Sequence, residues 1–256
     1  MSSVAEVHVV RHGAVANVVL ARPPHNHVNG DVMGKLTRSL FELDADPECR
    51  AVVLSSGVSA FCAGADLAAS AAEGRDRDPA DFYAEALKVY QTRKPLVAAI
   101  AGAAVGAGLG LALAADFRVT CEEARFSANF NLLGFHPGFG LSVTLPRLIG
   151  QQQAARLFYT GRRIGGKEAV DIGLADSLVP NDEVLASALL FAQEIAASAP
   201  LAVLSTRETL RQGLYEEIFR ANQRELLIQR DQFRSADFQE GVRAMAERRK
   251  PVFTGR

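Results

Sequence analysis

The chain has 256 residues, 48% of them hydrophobic and 22% charged, enough to bury a large core as one domain or one domain with a helical appendage. A formal net charge of −1 supplies no whole-protein field for nucleic acid or an anionic membrane, so neither is expected as a partner. Cys49, Cys62 and Cys121 are too few and too scattered for a disulfide framework or a zinc site, and residues 1–11 lack a secretory start, so the expected compartment is the cytoplasm.

In chain order, residues 7–10 and 15–20 are β-rich runs separated by His12-Gly13, which predicts a hairpin. Arg22-Pro23-Pro24 then ends strand pairing. Asn29 is a helix cap, and Val32, Met33, Leu36, Leu40, Phe41 and Leu43 recur with helical spacing to about Asp44. Residues 51–55 and 95–101 are buried strands by their apolar runs, with helical segments near Leu67 and over 81–92 between them. The Ala-, Gly-, Arg- and Asp-rich tract 68–81 has little to bury; a plain surface connection and a lid both fit it.

The longest apolar stretch, 96–115, is broken by Gly102, Gly106, Gly108 and Gly110, a density that signals turns and close packing instead of a membrane span. A helix over 106–115, a strand over 117–120 and a loop-rich stretch over 122–139 follow. From Val143 onward the pattern is mostly helical, with helices expected over 151–159, 167–172, 182–198, 201–212, 215–230 and 238–249. The last of these carry more apolar surface than a lone extension hides, which requires docking on the core or on another subunit.

Several segments resemble the crotonase (enoyl-CoA hydratase/isomerase) superfamily in order and spacing. Phe61-Cys62-Ala63-Gly64-Ala65-Asp66-Leu67 looks like its first oxyanion motif, and Pro95 to Gly108 looks like the second, running into Ala115-Asp116. Leu133-Gly134 with Pro137, then Leu145-Pro146-Arg147-Leu148-Ile149-Gly150, Gly173-Leu174-Ala175-Asp176 and Glu247-Arg248-Arg249-Lys250-Pro251-Val252-Phe253 also fall where the family has them. The resemblance implies an α/β fold, a crotonase-like spiral of ββα units with a helical C-terminal region. It divides the chain into a spiral, acyl-CoA-binding core over 1–200 and a helical trimerisation region over 201–256, and it implies a homotrimer or hexamer. It also implies an acyl-CoA ligand, with coenzyme A arriving as part of the substrate and no separate cofactor.

An enzyme of this kind must stabilise negative charge on a thioester oxygen, and two backbone N–H groups at helix starts do so without a titratable side chain. By resemblance the donors are Ala65 and Ala107; Ala107 stands where glycine is usual, which leaves a donor intact as long as φ need not be positive. Ala63, Asp66 and Leu67 of the first motif, Arg22, Phe130, and Lys250 with Phe253 of the tail match ligand-contacting positions. Arg22 suits either a phosphate contact or a solvated turn, and the tail either a CoA contact or a frayed terminus.

The departures from the family pattern decide more. Family hydratases use two glutamates, and here Gly110 and Phe130 stand at those positions, so ordinary two-carboxylate hydration is not expected. Restoring both, Gly110→Glu with Phe130→Glu, is expected to raise it. Glu122 and Glu123 read as solvated charges. The pattern is similar to the 4-chlorobenzoyl-CoA dehalogenase branch, whose nucleophilic aspartate matches Gly138, so dehalogenation is not supported. His136 is the one titratable residue in Phe135-His136-Pro137-Gly138-Phe139, and it suits either an acid/base or a turn histidine. His25 and His27, two apart without a carboxylate at ligand spacing, do not make a metal site. Phe82, Tyr83, Phe130, Phe135 and Phe139 suit an acyl pocket or ordinary core. The expected activity is thus an isomerase- or lyase-type reaction through an enolate, with a non-catalytic acyl-CoA-binding protein as the alternative.

Overall fold

A computed structural model describes residues 6–66 and 79–256. The helical segment expected near Leu67, and Leu67 itself, lie outside the described residues, as does most of the tract 68–81. Strand β1 (Val7–His12) turns at Gly13, with φ +64, into β2 (Val15–Leu20), and the two pair antiparallel. From β2 the sheet continues in parallel through β3 (Ala51–Ser56), β4 (Leu96–Ile100), β6 (Phe117–Thr120) and β9 (Ser177–Leu178), in the order β1-β2-β3-β4-β6-β9. β2 and β4 are buried along their whole length, which is why they read as unbroken apolar runs instead of alternating ones.

Helices cover this sheet. The side chain of Asn29 caps α1 (Gly30–Ala45) by accepting from the Val32 N–H, and the stripe Val32, Met33, Leu36, Leu40 and Leu43 faces the core. Helix α2 (Ala80–Ala86) runs into a 3₁₀ turn, Leu87–Gln91, and packs on α1. Small residues at i, i+4 spacing, Val184, Ala188, Ala192 and Ala196, let a later helix lie close on β3, β4 and β6; its bounds are Val184–Ala197.

A second sheet escapes sequence reading altogether. Strands β5 (Ala103–Val105), β7 (Arg125–Ser127) and β8 (Arg163–Gly165) pair in the order β5-β7-β8. Three residues are too few to show a period, and two of these strands sit inside stretches read as turn and loop. Their effect is local: they hold the start of α3 (Ala107–Ala114) and the 3₁₀ turn Asn129–Leu133 side by side.

The C-terminal half is helical, as its pattern requires: α4 (Leu141–Thr160), broken at Gly150 with φ 76, then α5 (Gly166–Asp171), α6 (Val184–Ala197), α7 (Pro200–Leu210), α8 (Leu214–Gln232) and α9 (Ala236–Ala246). Helix α8 packs on α4, and α9 packs on the Asn129–Leu133 turn. Glycine makes the second contact possible: a Cβ at Gly241 would stand 2.6 Å from the Leu133 carbonyl carbon, and one at Gly134 2.7 Å from the Asp237 backbone. Phe135, Phe233 and Phe238 close the junction with centroids 4.8–5.6 Å apart. Leu190, Leu201 and Leu210 remain exposed on α6 and α7. Among the described residues no single helix is long and apolar enough to cross a membrane.

Candidate active site

Two short segments that look unrelated in sequence are locked together. Cys62 bridges to Ala104: its N–H donates to the Ala103 carbonyl, and its own carbonyl accepts from Val105. Ala65 bridges to Val28, through Val28 N–H to Gly64 O and Asp66 N–H to Val28 O. Neither bridge uses the Ala65 N–H. The contact between the segments is tight, since a Cβ on Gly108 would stand 2.0 Å from the Cys62 carbonyl oxygen and one on Gly64 3.1 Å from the Val105 oxygen.

Ala107 opens α3, so its N–H is among the first-turn donors that a helix leaves unpaired. The positive φ of this turn, +55, belongs to Gly106, so alanine at 107 is not strained. Among the described residues, the N–H groups of Ala65 and Ala107 meet no acceptor. Behind the first segment, Asn26 is fully buried with its amide against the carbonyls of Leu20, Ala60 and Phe61 and the hydroxyl of Ser56, which ties the approach to Gly64 to the end of β2.

The loop after Leu133-Gly134 lies along α3. Phe130 approaches its start, since a Cβ on Gly106 would be 4.0 Å from Phe130 Cζ. One turn on, a Cβ on Gly110 would meet the ring of Phe139 at 2.7 Å. Phe139 itself has φ +63, rare for a bulky residue. Its ring also meets Phe82 and Tyr90 edge-on, each at 6.1 Å. Gly138 backs onto a hydroxyl: a Cβ there would stand 1.8 Å from Tyr83 Oη. A side chain at 138 would require Tyr83 and Gln229 to move aside.

His136 is half-buried, and its Nδ1 lies 2.7 Å from the Pro137 carbonyl. A carbonyl only accepts, so this contact puts a hydrogen on Nδ1 and leaves Nε2 as the nitrogen that can carry the lone pair. Burial pushes the hydroxyls of Tyr83 and Tyr90 well above the usual phenol range, so both stay protonated donors. The Cys62 thiol is pushed up to about 12 by the same cause.

The other sequence-derived site residues are distributed as follows. Arg22 and Asp66 pair with each other, Nη1 to Oδ2 at 2.9 Å, and Arg22 also holds Glu6 at 3.1 Å and the His27 carbonyl at 2.6 Å. Ala63, half-buried, donates its N–H to the His25 carbonyl at 3.1 Å. His25 and His27 stand edge-on with ring centroids 6.4 Å apart. Lys250 and Phe253 are exposed on a tail that folds back on α9, where Asp237 accepts from the N–H groups of Thr254 and Gly255, and Glu240 from that of Val252 and from Arg249.

Residues the sequence reading passed over include Glu225, Gln229 and Gln232 on α8. Glu225 and Gln229 are buried despite their polar side chains, and all three bond to the loop 136–142. The one available signal was their spacing, which puts them on a single face that also carries Asn222.

The enoyl-CoA hydratase/isomerase family model matches residues 11–256. This chain belongs to that family. A carnitinyl-CoA dehydratase of Salmonella typhi is 35% identical over 259 residues, covering 98% of each chain. A probable enoyl-CoA hydratase of Mycobacterium bovis is 35% identical over 254 residues, covering 97% of each. Among solved structures, an enoyl-CoA hydratase/isomerase from Pseudoalteromonas atlantica superposes with a TM-score of 0.87 at 30% identity, covering 98% of this chain and 100% of that one. A carnitinyl-CoA hydratase from Mycobacterium avium gives 0.83 at 30%, covering 98% and 99%. The α/β spiral expected from the sequence is the fold of these crotonase-superfamily members.

Proposed function

We propose that the protein binds an acyl-CoA thioester and stabilises an enolate on the thioester oxygen with the N–H groups of Ala65 and Ala107. The observation that carries this reading is the pair of unpaired backbone donors on two segments pressed together at Gly64 and Gly108. Such donors are aimed in advance and need no reorganisation when charge develops.

His136 is the proposed acid/base. Its Nε2 lone pair takes a proton from the acyl Cα: the C–H bond breaks, an N–H bond forms, and the electron pair moves to the thioester oxygen between the two N–H donors. Where the acyl chain has a β,γ double bond, the oxygen's electron pair returns through the dienolate to Cγ, which takes the proton from Nε2 as the double bond moves to Cα–Cβ; one base can perform this isomerisation. Arg22, Asp66, Phe130, Lys250 and Phe253 are proposed ligand contacts, Lys250 toward a phosphate and Phe253 toward adenine. A homotrimer or hexamer is proposed as well, with Leu190, Leu201 and Leu210 in contact across subunits.

The relatives' names favour hydration or dehydration as a second reading. Against it stand Gly110 and Phe130 at the glutamate positions, with Phe139 filling the space beside the first. The same features suit a non-catalytic acyl-CoA binder. Incubating the purified protein with a panel of saturated and unsaturated acyl-CoA thioesters in D₂O, followed by mass spectrometry, separates the three. Deuterium at Cα supports the enolate reading, a gain of water supports hydration, and binding without either supports the binder.

A further inference from the structure

Helix α8 grips both backbone groups of His136. The His136 N–H donates to Gln232 Oε1 at 2.6 Å, and its carbonyl accepts from Gln229 Nε2 at 2.8 Å. Gln229 is in turn fixed from behind, because its Oε1 accepts from the buried Tyr83 hydroxyl at 3.0 Å. Four residues earlier on the same helix, Glu225 accepts from the N–H groups of Gly140 and Ser142 at 2.8 and 3.2 Å and from the Ser142 hydroxyl at 2.5 Å. The loop 136–142 is thereby held at both ends from one helix face, and Gly138 in its middle lies against Tyr83 and Gln229.

Gln229 is fully buried, its Oε1 accepting one bond and its Nε2 donating another, and a buried amide that loses a partner is costly. A neutral glutamine also supplies what no ion would: it accepts from Tyr83 and donates to His136 with one group, adding no charge beside the imidazole. We propose that Gln229 and Gln232, with Tyr83 behind Gln229, are positioning residues that fix the His136 backbone and so keep its ring Nδ1 on the Pro137 carbonyl. The proposal rests on His136 acting as the base, as argued above.

The donor and acceptor pattern gives the test its sign. Gln232 only accepts from His136, so Gln232→Glu keeps the bond and Gln232→Met loses it. Gln229 must donate, so Gln229→Glu and Gln229→Met both lose the bond to His136, although the glutamate still accepts from Tyr83. Each variant, along with His136→Ala, is first checked for folding by circular dichroism and then assayed for exchange of the acyl-CoA α-proton in D₂O. Gln232→Met, Gln229→Met and Gln229→Glu should lower kcat about tenfold to a hundredfold with KM unchanged, and Gln232→Glu should stay within about threefold of wild type. Wild-type rates in Gln232→Met and Gln229→Glu, or equal losses in Gln232→Glu and Gln232→Met, overturn the positioning role.

A readout independent of turnover separates this proposal from the one beneath it. ¹⁵N NMR of the histidine side chains, assigned through His136→Ala, reports which ring nitrogen carries the proton. Loss of the Nδ1–H form in Gln232→Met with its retention in Gln232→Glu supports the clamp, and an imidazole unchanged in all variants refutes it. If His136→Ala exchanges the proton as fast as wild type, the assignment of the base fails whatever the NMR shows.

Discussion

The ring of Phe139 fills the space into which a side chain at Gly110 would extend, with Cγ, Cβ and Cδ1 all within 2.9 Å of the position a Cβ would take. Gly110 and Phe139 are therefore a volume pair, one residue small because the other is large. This revises the expectation that two added glutamates would be enough to restore hydration.

Hydration of crotonyl-CoA by the wild-type protein should fall far below the enzyme median of roughly 10 per second. Gly110→Glu with Phe130→Glu should give no gain, because the new carboxylate meets the Phe139 ring. Adding Phe139→Gly opens the space and suits the positive φ at 139, so the triple variant should gain measurable hydratase activity. A gain in the double variant equal to that in the triple would show that the ring moves aside.

The same pair should appear in stability measurements. Gly110→Ala should cost about 1–3 kcal/mol by overpacking, and Phe139→Gly about 3–5 kcal/mol by loss of a buried ring. Together they should cost less than the sum, since the second change removes what the first collides with. Strict additivity in urea unfolding of the four proteins would mean that the two residues do not touch in solution.

Asp116 holds two arginines: Oδ2 accepts from Arg207 Nε at 2.8 Å and Oδ1 from Arg211 Nη1 at 3.0 Å, with Arg207 and Arg211 only 9% and 16% exposed. Asp116→Ala strands both cations and frees the Leu96 N–H that the same carboxylate receives. The expected loss is about 3–5 kcal/mol. Asp116→Asn, which still accepts one bond, should lose less, and equal losses would show that the charge, and not the accepted bonds, is what matters there.

The tail should contribute to CoA affinity, so truncation after Glu247 should weaken it without changing acyl discrimination. Its anchor is pH-dependent in a defined direction. Arg249 and the Val252 N–H pull the Glu240 carboxyl down from 4.5 to about 2. A depressed carboxyl pKa contributes attachment that is complete above the free value and lost as pH falls from about 4.5 through about 2. The chain has no tryptophan, so Phe253→Trp makes a unique reporter, and its anisotropy should be flat from pH 6 to 8 and drop only in acid. A change centred near neutrality would place the anchor elsewhere.

All three cysteines are buried, and burial pushes the Cys62 thiol up to about 12 against the lowering effect of its contact with the Gly64 backbone. Native protein should therefore resist an aromatic disulfide reagent at pH 8, and all three thiols should react once urea unfolds it. Rapid labelling of Cys62 in the folded state would mean that the segment before Gly64 opens easily.

Much of this was legible in local signals. The Asn29 cap and the stripe behind it, the strands built on Val-Val-Leu and Leu-Val-Ala-Ala-Ile, the six C-terminal helices and the two glycine-bearing segments that carry Ala65 and Ala107 all depend on neighbours a few residues away. The absence of carboxylates at 110 and 130 was legible as well, through the resemblance of the flanking motifs to the family pattern. What folding alone decided lies in contacts between residues far apart in sequence. Gln232 reaches His136 from 96 residues away and Gln229 from 93, and their helical spacing with Asn222 groups them on one face without showing what that face meets. The second sheet was hidden because three-residue strands carry no period and exist only through their partners. The ring over Gly110 was hidden for a related reason: steric exclusion between two side chains is a property of their positions in space, and a sequence records only their identities.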